Sequence, residues 1–137
     1  MEEAKKTNKD GRQDYIIRVS HLTKLYGTSN RAEAARMMKE GKNKDQVFRE
    51  TGVTVALWDV SFQVKRGEVF VIIGLSGSGK STIIRMLNML NRPSEGTIMF
   101  EDSKIDQFGK KDLNEYRREK ISMVFQNFGL MSHRDVL

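Results

Sequence analysis

The chain has 137 residues, 38% of them hydrophobic and 31% charged, which is typical of one globular domain or part of one. With no cysteine it can form neither a disulfide nor a thiolate metal site, and no stretch of sequence is long and apolar enough to cross a membrane. The net charge of +6 is compatible with an anionic partner such as nucleic acid or a membrane face, but we favour a solvated surface plus a lysine-rich tail.

The N-terminal segment is polar and charged. Residues 1–14 predict a flexible tail, and they lack the apolar core of a secretion signal, so we expect the protein to stay inside the cell. Tyr15–Ser20 (YIIRVS) predicts a short strand, after which Leu22–Gly27 is expected to lead into a turn.

A helical segment and two apolar stretches follow. Residues Arg31–Gly52 carry alanines, methionines and charges at helical spacing, which predicts two short helices, with Gly41 ending the first and Asp45 capping the second. Val53–Val64 alternates as a strand does, and the sequence KRGE predicts a turn after it. The run Val69–Ile73 (VFVII) is entirely apolar, which predicts a buried strand.

The later part of the chain again mixes strands and helices. Glu95–Glu101 predicts a strand, and Lys110–Lys120 predicts a charged helix with Leu113 and Tyr116 facing inward. Ile121–Phe125 (ISMVF) predicts a second buried strand.

Between the apolar run and the next helical pattern, residues 74–82 read GLSGSGKST and satisfy the phosphate-binding pattern G-x-x-x-x-G-K-[ST]. Glycines allow the loop to curl so that N–H groups point inward, and the helix predicted over Ser81–Leu90 adds the partial positive charge of its first turn. Lys80 is expected to reach the outer phosphates, and the Ser81 hydroxyl to complete the shell of a bridging Mg²⁺. The pattern predicts a nucleotide-phosphate site without selecting the nucleotide.

Two longer stretches, VFVIIGLSGSGKSTIIRMLNMLNRPSEGTIMFE and KISMVFQNFGL, closely resemble the ATP-binding subunit of ABC transporters. The resemblance runs from about Tyr15 to Leu137 and implies an α/β fold, a P-loop NTPase core with an antiparallel β subdomain, which binds Mg-ATP. It implies that Tyr26 stacks on adenine and that Thr82 contacts an inner phosphate. It also implies that Gln126 binds Mg²⁺ through its amide oxygen and orients the attacking water.

The motif and the resemblance together give a set of predicted site residues. Lys80 and Gln126 are expected to serve catalysis, and Ser81 and Gln126 to hold the metal. The predicted nucleotide ligands are Tyr26, Gly74, Ser76, Gly77, Ser78, Gly79, Lys80, Ser81 and Thr82.

Plainer interpretations stay open for some of these residues. Tyr26 is also compatible with a core or turn tyrosine, Thr82 with a residue at a helix start, and Gln126 with a cap on a strand end. Glu101 and Asp102 follow apolar residues as Walker B acids do, but they come too soon after the loop helix. We expect them to belong to the antiparallel subdomain.

The segment 31–52 stands where most ABC ATPases have only a few residues, and it resembles the helical segment of the glycine betaine/proline/carnitine uptake ATPases. That resemblance implies a quaternary ammonium osmolyte as cargo. It implies membrane-spanning permease subunits, a second ATP-binding subunit and a substrate-binding protein as partners, with the protein at the cytoplasmic face of the membrane and no nucleic acid bound. The segment itself is open to interpretation as a docking element or as plain packing.

In this family the signature motif, the Walker B strand and the switch histidine come after the Q-loop, whereas the sequence given stops at Leu137. We therefore expect a C-terminally incomplete domain with exposed apolar surface, weak ATP binding at most and no useful turnover. Three alternatives stay open: a non-transport ABC ATPase of nucleic-acid metabolism, a small P-loop kinase, and an inactive truncated product.

Overall fold

The computed structural model describes residues 14–74 and 78–123. Its strands form one antiparallel sheet in the order β2-β1-β3-β4, so the predicted antiparallel subdomain is confirmed. Within these two ranges no helix has the length and apolar character needed to cross a membrane. The elements in chain order are β1 (Tyr15–Tyr26), α1 (Arg31–Lys39), α2 (Lys44–Thr51), β2 (Thr54–Lys65), α3 (Lys80–Leu87), β3 (Glu95–Phe100), β4 (Ser103–Lys104), a single 3₁₀ turn (Ile105–Gln107) and α4 (Lys110–Glu119).

Strand β1 is longer than the sequence predicts, because it continues past Ser20 and ends at Tyr26. The pairing with β2 shifts between Val19 and Leu22, and His21 within this bulge has a φ of 52°. A bulge bends a strand without ending it, so Leu22 and Leu25 still reach the interior. The strand predicted over Tyr15–Ser20 is therefore too short, and the chain bends at Thr28 and Ser29, directly after Gly27.

The main core lies between the sheet and the helices α3 and α4. Leu113 and Tyr116 of α4 are buried, so the predicted inward face of this helix is confirmed. The buried members of this core are Val19, Leu22, Leu57, Ile83, Met86, Met89, Ile98, Ile105, Leu113 and Tyr116.

Helix α3 ends at Leu87, earlier than predicted. Met89 has a φ of 55°, which no α-helix accommodates, and Arg117 donates to the carbonyls of Asn88 (3.0 Å) and Met89 (2.8 Å). The guanidinium thus binds the two carbonyls that directly follow the helix, at the end where a positive charge is favourable.

The two helices predicted over 31–52 are present. Gly41, with a φ of 87°, follows the last turn of α1, as expected. Asp45 does not cap α2, because this helix begins at Lys44 and Asn43 therefore occupies the cap position. The Asn43 Oδ1 atom accepts a hydrogen bond from the Gln46 N–H at 2.8 Å.

This helical pair has a small apolar core of its own against the sheet. Its helices contribute Ala34, Ala35, Met37 and Val47. Facing them are Leu25 of β1, Val53 just before β2 and Val55 of β2.

The prediction of a buried strand over Val69–Ile73 is wrong. This segment is not assigned to a strand, and the side chains of Val69 and Ile73 are each 89% exposed. An apolar strand is buried only when neighbouring strands flank it, and none of the four strands in the described ranges pairs with this segment. The expected exposure of apolar surface is thus observed here.

A second buried strand was predicted over Ile121–Phe125. Residues 121–123 are not in a strand, and the last two residues lie outside the described ranges. The predicted tail lies outside them as well, except for Asp14, whose Oδ2 atom is 3.1 Å from Arg66 Nε.

Candidate functional site

The predicted phosphate loop is held against strand β2 by Gly79. This residue is the N-cap of α3 and has a φ of 97°. A Cβ atom added here would lie 2.6 Å from the carbonyl oxygen of Ala56 and 2.9 Å from Leu57 Cδ1. Only glycine fits both the backbone conformation and this close approach, so the start of α3 has a fixed position relative to the sheet.

The first turn of α3 is suited to an anion. Its first intrahelical hydrogen bond runs from the Ile83 N–H to the Gly79 carbonyl at 3.0 Å, and Gly79 provides no side-chain cap. The N–H groups ahead of Ile83 therefore have no carbonyl acceptor within the helix, and the turn contains no acidic side chain. These features give the helix start the donors and partial positive charge that bind phosphate in other proteins.

Lys80 bridges the two ends of the loop. Its Nζ atom donates to the carbonyl oxygen of Gly74, which places the ammonium group at the loop. Gly74 also lies close to Ser78, because a Cβ atom added at position 74 would be 2.5 Å from Ser78 Oγ. A bound phosphate would offer the ammonium a stronger, charged acceptor than this carbonyl.

The remaining predicted loop residues divide into two groups. Ser81 and Thr82 lie in the first turn of α3, with Ser81 exposed and Thr82 half-buried. Ser76, Gly77 and Gln126 lie outside the described residues, so the structure does not test their predicted roles.

The donor set is compatible with a magnesium–nucleotide complex. Across the described residues, no group of three or more histidine, cysteine or acidic side chains is placed to hold a metal ion. Mg²⁺ bound to nucleotides takes most of its ligands from phosphates and water and needs few from the protein. The exposed hydroxyl of Ser81, next to a turn that favours phosphate, fits that requirement.

Tyr26, the predicted adenine-stacking residue, ends strand β1 opposite Thr54 and is 41% exposed. Its hydroxyl oxygen accepts a hydrogen bond from Asn91 Nδ2 at 3.1 Å, and Lys24 Nζ lies 5.1 Å from the ring centroid. Burial, and to a lesser extent the nearby charge of Arg31, lowers the pKa of Lys24. The ring is thus held in place and partly accessible, while its stacking on a base stays a prediction.

Sequence reasoning missed the two neighbours that hold this ring. Asn91 lies 65 residues from Tyr26 along the chain and belongs to no recognisable motif. Lys24 precedes Tyr26 by two residues in the strand, and side chains at that spacing share a face. This two-residue alternation was the only feature of the sequence that could place Lys24 beside Tyr26. It could be used only if β1 was known to extend to Tyr26.

The acidic pair that imitates a Walker B end lies in the antiparallel sheet, as expected. Glu101 and Asp102 form the turn between β3 and β4, and Asp102 Oδ1 is 3.4 Å from Arg18 Nη2.

Comparison with known proteins agrees with these features. The sequence profile of the ABC transporter family matches residues 57–137. The glycine betaine/carnitine transport ATP-binding protein GbuA of Listeria monocytogenes is 45% identical over 120 residues, which are 88% of this chain and 30% of that protein. The glycine betaine transport ATP-binding protein OpuAA of Bacillus subtilis is 46% identical over 121 residues, or 88% of this chain and 29% of that protein.

A solved structure supports the fold. The dimeric ATP-binding cassette MJ0796, in a post-hydrolysis state bound to ADP and Pi, matches with a TM-score of 0.62 at 29% identity. The match covers 84% of this chain and 40% of that one.

The expected resemblance to osmolyte-uptake ATP-binding subunits is therefore confirmed, although the chain spans less than a third of the length of these two curated relatives. Because the family profile covers more than half of its residues, the chain belongs to the ABC transporter family.

Proposed function

We propose that this chain is the nucleotide-phosphate-binding part of the ATP-binding subunit of an ABC importer. The proposal depends on two contacts of the loop. Gly79 lies against β2, and the Lys80 ammonium donates to the Gly74 carbonyl. The importer couples ATP hydrolysis to uptake of a quaternary ammonium osmolyte such as glycine betaine, carnitine or choline. The cargo is proposed from the names of the two curated relatives, both of which are described as glycine betaine transport proteins.

Each predicted site residue has a role in this proposal. Lys80 binds the outer phosphates, Ser81 binds the magnesium ion and Thr82 binds an inner phosphate. Tyr26 stacks on the adenine ring, which its partly exposed position allows. Gln126 completes the magnesium shell and orients the attacking water.

The proposal also includes partners and a location. The subunit works with a second ATP-binding subunit, in keeping with the dimer reported for the solved cassette. It binds membrane-spanning permease subunits at the cytoplasmic face of the membrane, in a system that includes a substrate-binding protein.

Nucleotide binding by the chain tests the first part of the proposal. Mg-ATP titrated into the purified protein should bind weakly, and Lys80→Ala should lower the affinity roughly tenfold or more by removing a charged phosphate ligand. Lys111→Ala, which removes the same charge from an exposed position on α4, is the control and should bind as the parent does. Equal affinity of the Lys80 variant and the control would refute the phosphate assignment.

Uptake tests the second part. Cells that carry the Lys80→Ala change in the native gene should lose uptake of labelled glycine betaine, whereas cells with Lys111→Ala should retain it. Unchanged glycine betaine, carnitine and choline uptake in the Lys80 variant, together with lost ATP binding in vitro, would leave the ATPase assignment standing and refute the cargo.

A further inference from the structure

A cavity of about 350 Å³ lies between the end of β3 and helix α4, away from the phosphate loop. Three aromatic side chains line it: Phe100, Phe108 and Tyr116. The ring of Phe100 stands at 71° to that of Tyr116, with centroids 5.3 Å apart, and the ring of Phe108 stands at 75°, at 6.3 Å. Tyr116 is only 4% exposed, so the aromatic surface open to a ligand comes mainly from Phe100 and Phe108.

The rim of the same cavity is acidic, although the chain as a whole is basic. Glu101, Asp112 and Glu115 line it, against a single lysine, Lys120. Glu101 also has a cation nearby, since its Oε1 atom is 3.6 Å from Arg66 Nη2. Asp112 and Glu115 have no ion-pair partner among the described residues. The cavity thus combines aromatic walls with more carboxylates than cations, and two of these carboxylates make no ion pair in the described part of the chain.

This combination selects a particular kind of cation. The carboxylates do not converge closely enough to form a metal site within the described part of the chain. A quaternary ammonium ion has a large, weakly hydrated charge that aromatic faces attract, and it needs no direct coordination. The volume is also within the range of small-molecule sites.

We propose that the cavity between β3 and α4 binds a small quaternary ammonium compound, with Phe108 and its aromatic neighbours around the head group and Asp112 and Glu115 balancing its charge. The choice of a quaternary ammonium, rather than another organic cation, rests on the proposed function, because the cargo of the importer belongs to this chemical class. The site gives the ATP-binding subunit direct contact with the osmolyte class that the importer accumulates.

Choline chloride is the probe that tests the site. Titration into the isotope-labelled, nucleotide-free chain should shift the amide resonances of β3 and α4 saturably. The neutral alcohol in which a tert-butyl group replaces the trimethylammonium head has the same shape without the charge. It should bind roughly fivefold more weakly, or not at all. Equal binding of the two compounds would mean that the cavity recognises apolar shape and not charge, and would overturn the proposal.

Variants locate the interaction. Phe108→Leu keeps apolar volume but removes a ring, and Glu115→Gln removes one charge, so each should weaken choline binding roughly threefold or more. Glu119→Gln, on the same helix but outside the cavity, is the control and should bind choline normally. If the Phe108 variant does not fold, the Glu115 variant and the neutral alcohol still decide the question. Choline binding that no cavity variant changes would refute the site.

The outcome is separable from that of the proposed function. Lys80→Ala should weaken nucleotide binding and leave choline binding intact, because Lys80 does not line the cavity. Loss of the choline site with normal nucleotide binding, or the reverse, would therefore refute one proposal without the other.

Discussion

Replacing Gly79 by alanine perturbs the contact between the start of α3 and strand β2. The added Cβ atom would lie 2.6 Å from the Ala56 carbonyl oxygen, a backbone atom that cannot rotate away as a side chain does. The residue also has a φ of 97°, a conformation that L side chains rarely adopt. The variant must therefore move the start of α3 away from β2, or change the backbone at position 79.

The cost can be worked out from a glycine that has only one of these constraints. Gly41 has a φ of 87°, but a Cβ atom added there meets nothing within 4 Å. Gly41→Ala should therefore cost only the left-handed strain, about 1–2 kcal/mol. Gly79→Ala adds the steric conflict with β2, which we place at about 1–3 kcal/mol by analogy with overpacked cores. The expected difference between the two variants is about 2 kcal/mol.

Urea unfolding followed by circular dichroism measures the difference. Gly79→Ala should lower the unfolding midpoint more than Gly41→Ala does, at a similar slope. It should also weaken Mg-ATP binding, because the N–H groups of the first turn of α3 are displaced, whereas Gly41→Ala should not. Equal midpoints for the two variants, with nucleotide binding unaffected by either, would show that the contact between Gly79 and β2 does not position the loop.

Three further predictions test other features. Tyr26→Ala should weaken ATP binding by about 1 kcal/mol, whereas Tyr26→Phe should retain the stacking ring and most of the affinity; equal affinity for the alanine and phenylalanine variants would return Tyr26 to a purely structural role. Asn43→Ala should lower the free energy of unfolding by about 1 kcal/mol through loss of the α2 cap. Asp45→Ala should lower it by only about 0.3 kcal/mol through the helix dipole, and the reverse order would contradict the cap assignment. Burial raises the pKa of Tyr116 to about 12, so between about pH 10 and 12 the unfolded chain loses this proton first and stability falls by up to about 2 kcal/mol. In urea titrations at pH 9 to 11, Tyr116→Phe should lack this part of the pH dependence, and an identical pH dependence in both proteins would contradict it.

The sequence predicted a helix or strand correctly wherever its hydrophobic periodicity extends over most of the element. The two helices of 31–52, strand β2 and helix α4 all have periodicities that span most of their length, and the structure contains each of them. The buried pair Leu113 and Tyr116 follows from the helical period alone. The glycines of the phosphate loop follow from the motif, and for Gly79 the structure adds the reason, which is contact with a distant strand.

Prediction failed where the outcome depends on partners elsewhere in the chain. Strand β1 continues past His21 because β2 pairs with it on the far side of the bulge, and no local signal at Leu22–Gly27 contains that information. The run Val69–Ile73 shows the converse case. Its composition predicts burial correctly only if neighbouring strands are present, and in the described ranges they are not.

The start of strand β2 joins the two halves of the predicted nucleotide site. Thr54 pairs with Tyr26, and Ala56 lies against Gly79. Two residues along a strand span about 7 Å, so the partner of Tyr26 and the residue that contacts Gly79 are about 7 Å apart on one strand. Any change that shifts the register of β2 should therefore affect base and phosphate binding together.

The same strand also closes the connection that contains the two helices of 31–52. The chain leaves β1 at Gly27 and returns at Val53, and a Cβ atom added at Gly27 would be only 3.1 Å from Val53 Cγ2. Because the two ends of 31–52 are adjacent, the entropy of closing the loop depends only weakly on its length. The pairing of Tyr26 with Thr54 therefore closes the connection whether it holds a few residues or two helices, and the two helices of 31–52 add a small core of their own.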